Sequence, residues 1–150
     1  MTKDPITIDP EAPLETAAAT MREREVRHLP VVDDTGNLVG MITDRDLRGA
    51  VLAPELAEYL SGVAQRRLRG LGSTLANLRV RDAMTWDVVT IEPQAPLARA
   101  AALMYEGRIG CLPVVERKRL VGMVTERDVL KALAATLPAV RGIDPDNYLW

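Results

Sequence analysis

Two short phrases in this 150-residue chain carry residue types that could do chemistry: GMITDRD at residues 40–46 and GMVTERD at residues 122–128. In each, a threonine (Thr43, Thr125) stands three places before an aspartate (Asp46, Asp128), with an arginine (Arg45, Arg127) between them. At the mouth of a helix this is a capping-box pattern, in which hydroxyl and carboxylate satisfy each other's backbone N–H groups. Such a threonine cap is worth about 1 kcal/mol against alanine. The acidic residue in the first turn also suits the positive end of the helix dipole. The same geometry attracts anions, because an open helix start aims N–H groups at phosphate. A guanidinium forks onto phosphate oxygens, and a carboxylate accepts ribose hydroxyls. Capping and ligand contact are compatible roles for one side chain. An arginine in a first turn opposes the dipole, and that misfit, present twice, favours a role for Arg45 and Arg127 at a ligand.

The phrase recurs because the whole chain repeats. Aligning Thr7 with Thr90 pairs TIDPEAPLETAAATMRE with TIEPQAPLARAAALMYE, and the match runs on through HLPVVDDTGNLVGMITDRD against CLPVVERKRLVGMVTERD. One residue drops out of the second copy's turn. Roughly half the aligned positions are identical, and two copies suggest one pseudo-twofold module rather than a solenoid, which needs three or more.

Each copy carries the same elements. A short strand at residues 6–8 (88–91) precedes a Pro-containing turn. Pro13 and Pro96 suit the first turn of a helix, where a missing N–H costs nothing. Leu14, Ala17, Ala18 and Met21 follow at helical spacing, as do Leu97, Ala100, Ala101 and Met104. LPVV is then a buried strand, DDTGN or ERKR a hairpin turn, and residues 38–43 (120–125) the return strand. A second helix opens at DRDL or ERDV. The fold class is α/β (α+β), a β-α-β-β-α unit used twice and packed sheet to sheet with pseudo-twofold symmetry. One copy alone is too small to be stable. The expected division is a first domain at 1–53, a helical connector at 54–79, a second domain at 80–137 and a tail at 138–150. In the connector Leu56, Tyr59, Leu60 and Val63 fall on one helical face, and QRRLR at 65–69 reads as a solvated face.

Composition narrows the function classes. Hydrophobic residues make up 47% and charged residues 27%, with net charge −2, which fits a globular protein and argues against nucleic acid, whose binders carry a basic excess. A single cysteine, Cys111, allows no intrachain disulfide and suits a reducing compartment; it reads as a small core residue. No stretch approaches a membrane span, so a cytoplasmic location is expected, with no membrane partner. The lone His28 excludes a histidine-rich metal site, and no paired nucleophile and base stands out, so no catalytic residue, metal or enzymatic activity is expected.

The order P-x-x-P-L-x-x-A-x-x-x-M, HLPVVD, then G-N-L-V-G-M-I-T-D-R-D resembles a CBS domain, and the tandem resembles a CBS pair (Bateman module). The resemblance covers residues 1–48 and 80–135. Small stand-alone CBS-pair proteins of the acetoin-utilisation type look most similar, through VRHLPVVDDTGNLVGMITDRDLR. Copy two is entered through VRDAMT, whereas Met1-Thr2 aligns with Met84-Thr85, so copy one lacks the lead-in helix and its own N-terminal edge is expected to be affected. The resemblance implies regulatory sensing of AMP, ADP, ATP or an adenosyl compound such as S-adenosylmethionine in the cleft between copies, with no obligatory cofactor. It also implies a homodimer and a regulated protein partner. It assigns Thr43 and Asp46, and Thr125 and Asp128, to the phosphate–ribose region. Arg27 and His28, ahead of LPVV, stand where the family supplies basic phosphate contacts; copy two has Gly110 and Cys111 there. The first site is therefore expected to hold polyphosphate better, the second to be nucleoside-like or empty. His28 also reads as an ordinary surface histidine, or as a source of pH sensitivity. The alternative function is a nucleotide-independent dimerisation or protein-interaction module, to which Tyr148 and Trp150 would contribute.

Overall fold

The computed structural model describes residues 1–56 and 78–136, with side chains described through residue 50 in the first of these spans. The expectations for the connector face, for QRRLR and for Tyr148 and Trp150 lie outside the described residues.

The first copy contains β1 (Thr2–Lys3), α1 (Leu14–Glu23), β2 (His28–Val32), β3 (Leu38–Thr43) and α2 (Asp44–Leu56). The second contains α3 (Val80–Ala83), α4 (Leu97–Gly107), β4 (Cys111–Glu116), β5 (Arg119–Thr125) and α5 (Glu126–Thr136). The antiparallel hairpins share one register. His28 faces Thr43 and Val31 faces Gly40 in copy one; Cys111 faces Thr125 and Val114 faces Gly122 in copy two. Both slip at the same place, between Val31 and Val32 and between Val114 and Val115. The shorter second turn is closed by Arg117 and Lys118, both at positive φ (49° and 72°), the backbone a two-residue hairpin needs to match strand twist.

The segments at 6–8 and 88–91 do not form strands. Each makes a single parallel bridge instead, Ile8 to Val31 and Ile91 to Val114, because the turn that follows carries the backbone away after one residue. The helices begin one residue later than the prolines suggest. Pro13 and Pro96 are extended (ψ 142° and 144°) and sit at the cap positions of α1 and α4. Their carbonyls accept the first-turn N–H groups of Thr16 and Arg99, each at 2.9 Å.

Leu14, Ala17 and Met21 bury one face of α1, and Ala100 and Met104 the matching face of α4. Each face packs on its own hairpin, where Leu29, Val31 and Ile42, or Leu112 and Val114, are closed off from solvent. Fully burying such a side chain contributes about 1.5–3 kcal/mol. A third, smaller cluster of Met41, Cys111 and Met123 joins the two hairpins.

The segments leading into the copies cross over. Thr2 pairs with Met123 in β5, and Thr85 pairs with Met41 in β3. Likewise α3, which leads into copy two, packs on copy one: Val80 and Met84 belong to the core with Leu14 and Leu29. Hydrogen bonds from Val80 N–H to the Ala12 carbonyl (2.9 Å) and from Leu14 N–H to the Leu78 carbonyl (2.8 Å) fix it there. The edge expected to be affected in copy one is therefore covered. Its counterpart in copy two is the exposed one, with Leu97 40% accessible against 5% for Leu14. A lead-in segment serves the opposite copy, so the sequence alignment pointed to the wrong edge.

Candidate functional site

The site is built where the two hairpins meet. In copy one, β3 runs directly into α2, and Thr43 and Asp46 close the junction. Thr43 donates from its N–H (2.8 Å) and its hydroxyl (2.7 Å) to Asp46 Oδ2, while the Asp46 N–H reaches Thr43 Oγ1 at 3.3 Å. Thr125 and Asp128 repeat the arrangement at 2.9, 3.0 and 3.3 Å. Capping is thus realised in both copies, and in both it uses one carboxylate oxygen, Oδ2. The other oxygen of Asp128 takes the Met1 ammonium at 3.3 Å. Burial alone would raise the Asp128 carboxyl, but bonds from Thr125 and the Met1 ammonium outweigh it and hold it below its ordinary value.

A cavity of about 260 Å3 lies beside the first of these junctions. Copy one supplies His28, Met41, Thr43, Asp44 and Arg45. Copy two supplies the segment after the crossing, including Asp87, Val88 and Val89, the loop before β4, Arg108 to Gly110, and Cys111 at the start of β4. Of the residues singled out by sequence, the cavity brings together Thr43, Arg45 and His28. Asp46, Arg27, Thr125, Arg127 and Asp128 are not in its lining.

Each pair, Arg27-His28 and Gly110-Cys111, lies beside its own copy's phrase, with the Arg27 carbonyl accepting the Asp44 N–H and the Gly110 carbonyl the Glu126 N–H, both at 3.0 Å. Gly110 and Cys111 also line the first copy's cavity, together with His28 and Thr43. Arg27 instead borders a separate surface hollow with Arg22, Glu25 and Arg48. The reason is the crossing already seen in the lead-in segments: the loop of one copy confronts the phrase of the other.

Asp87, Val88, Val89, Arg108 and Ile109 were not singled out by sequence, since none belongs to a repeated phrase. The available signal was the alignment itself, in which Arg108 replaces Glu25 and Gly110 replaces Arg27.

Electrostatics at the cavity follow from burial and spacing. Burial pushes the His28 imidazole below its ordinary 6.5; Asp44 pulls the other way, with Arg27, Glu126 and Asp46 contributing less. Unfolded His28 therefore binds a proton more readily than folded His28. Its contribution to stability is complete above about pH 6.5 and is lost as pH falls toward the folded value. Between about pH 7.5 and 5.5, Tm of the wild type should fall further than Tm of His28→Gln; equal falls would show that His28 does not titrate differently on folding. Burial, and secondarily Asp128, pushes the Cys111 thiol up to about 12, which keeps it a neutral core group as its 7% exposure suggests. Among the described residues there is no cluster of three metal-ligating side chains, and no helix is long and apolar enough to cross a membrane.

Comparisons with known proteins agree with this architecture. The CBS domain profile matches residues 1–53 and 80–135. A CBS domain-containing protein of Dictyostelium discoideum is 38% identical over 141 residues, covering 93% of this chain and 92% of its own. The crystal structure of CBSX2 in complex with AMP superposes with a TM-score of 0.74 at 28% identity, covering 90% of this chain and 93% of that one. A CBS domain pair solved with 5′-methylthioadenosine and S-adenosyl-L-methionine gives 0.71 at 28% identity, covering 91% and 94%. Other curated relatives are much longer: the chain spans 22% of a homoserine O-acetyltransferase of Methanococcoides burtonii and 22% of an inosine-5′-monophosphate dehydrogenase of Methanocaldococcus jannaschii.

Proposed function

This chain belongs to the CBS domain family, with two copies forming a pair, and we propose that it is a non-enzymatic regulatory module that senses an adenine nucleotide or adenosyl compound between its copies. The observation that carries this reading is the cavity whose lining is drawn from both copies. A ligand seated there touches β3 and α2 of one copy and the pre-β4 loop of the other, so its affinity depends on their relative angle. Linkage then makes occupancy shift that angle. The chemistry of the lining suits such a ligand. Met41, Val88, Val89 and Ile109 offer apolar surface to a base, Arg45 and Arg108 offer donors to its phosphate, and the Thr43 hydroxyl oxygen can accept from its ribose. The AMP and S-adenosylmethionine bound by similar CBS pairs support the same class.

Isothermal titration of the full chain with AMP, ADP, ATP, S-adenosylmethionine and 5′-methylthioadenosine tests this directly. Saturable heat with at least one of them is expected. A folded protein that gives none at millimolar concentration would exclude the adenosyl reading.

The alternative is a dimerisation or protein-interaction module that needs no nucleotide. It draws on the exposed apolar side chains of copy two, Leu97 at 40%, Leu130 at 63% and Leu133 at 53%. An association state that is the same with and without nucleotide, in a protein that binds none, is the outcome that would favour it.

A further inference from the structure

The internal repeat supplies its own control for each residue of the cavity, and one position stands out. Arg108 caps the C-terminus of α4 in the left-handed conformation (φ 50°). Its counterpart in copy one, Glu25, takes the same conformation (φ 53°) with the opposite charge. The backbone of this corner is therefore a property of the fold, whereas the side chain is not.

Arg108 lines the cavity together with Arg45, one guanidinium from each copy. Among the described residues, no ion pair uses either of them. Two carboxylates also line the cavity, Asp44 and Asp87, and Asp44 is paired with Arg48 at 3.1 Å. Two arginines, neither in an ion pair among the described residues, thus line one 260 Å3 space together with Asp44 and Asp87. Guanidinium groups contributed by the two copies suit the oxygens of a phosphate group. The loop also lacks any other cation on this side, since Gly110 stands where copy one has Arg27.

We propose that Arg108 is the residue that makes this cavity prefer a phosphorylated adenosyl ligand over an uncharged one. The inference rests on the reading of the cleft as an adenosyl site, and it adds which chemical feature of the ligand is selected and from which copy. Arg108 acts on the phosphate, with Arg45 from the other copy; the base and ribose are left to the apolar lining and Thr43. Glu25, at the corresponding corner of copy one, would repel the same group.

The test compares AMP with 5′-methylthioadenosine, which keeps adenosine and lacks the phosphate, on the full chain. Arg108→Gln is expected to weaken AMP by at least about tenfold and to leave 5′-methylthioadenosine within about twofold. Arg108→Glu, which installs the copy-one residue, should weaken AMP further, again without loss of the neutral ligand. Retained 5′-methylthioadenosine binding also shows that the variants are folded. Unchanged AMP affinity in Arg108→Gln, or equal loss of both ligands, would overturn the assignment while leaving the adenosyl site intact. A wild-type protein that binds neither ligand would instead overturn the site itself, and this assignment with it.

Discussion

Gly40→Val is expected to destabilise the protein by about 2–3 kcal/mol, the usual cost of forcing methyl groups into a packed space, and to lower Tm by about 6–10 °C. A Cβ at position 40 would lie 2.6 Å from Met84 Sδ and 3.0 Å from the Thr85 carbonyl oxygen. Neither neighbour yields easily. Met84 is 7% exposed and packed in the copy-one core. Thr85 is held to Met41 by two backbone hydrogen bonds, both 2.9 Å. Gly40 is therefore glycine because the segment leading into the other copy passes directly over it. Two comparisons sharpen the experiment. At Gly122 the equivalent contacts are Met1 Sδ at 2.9 Å and the Thr2 carbonyl at 3.0 Å, but Met1 is 50% exposed and can swing away, so Gly122→Ala should cost less than Gly40→Ala. At Gly49, inside α2, nothing lies within 4 Å, so Gly49→Ala should stabilise by up to about 1 kcal/mol. Thermal unfolding of the set gives the order. A Gly40→Val protein with wild-type Tm would show that the crossing segment does not sit where it is described. Because that same segment carries Asp87, Val88 and Val89 into the cavity, the variant should also bind ligand more weakly.

Asp46→Ala is expected to cost about 1–2 kcal/mol in the absence of any ligand. The carboxylate takes two short bonds from Thr43, 2.8 Å from the N–H and 2.7 Å from the hydroxyl, both on Oδ2. Removing it leaves the half-buried N–H and hydroxyl of Thr43 without their acceptor. Asp46→Asn keeps one acceptor and should lose roughly half as much. Chemical denaturation without nucleotide reads this capping contribution alone. A Tm for Asp46→Ala within a degree of wild type would show that the capping bonds add nothing. The ligand role that the family resemblance implies for the same residue, which lies outside the cavity lining, is read separately, as any loss of AMP affinity in Asp46→Asn beyond what the fraction unfolded explains. The two roles do not compete for atoms, since Oδ1 takes no part in the cap and its equivalent in Asp128 is the oxygen that accepts the Met1 ammonium.

Much of this protein was legible in its sequence because the relevant physics is local. LPVV is buried strand in both copies, and Leu14, Ala17 and Met21 face the core at the spacing that a 3.6-residue turn demands. T-x-x-D closes a helix start both times because the two side chains reach each other across one turn, whatever lies outside it. The repeat itself, and with it the pseudo-twofold arrangement and the family, follows from the alignment of Thr7 with Thr90.

What only the tertiary structure decided is which copy completes which site. The same two repeat units could have kept their lead-in segments on themselves, and no spacing within either copy distinguishes that from exchange. The exchange is settled by contacts remote in sequence, Met41 with Thr85, Thr2 with Met123, and Val80 in the core of copy one. It brings the loop at Arg108 and Gly110, which stays bonded to its own copy at Glu126, into one cavity with Thr43 and Arg45 of the other. Local periodicity determines which face of an element is apolar; only packing determines which neighbour that face meets, and the cavity is made of neighbours.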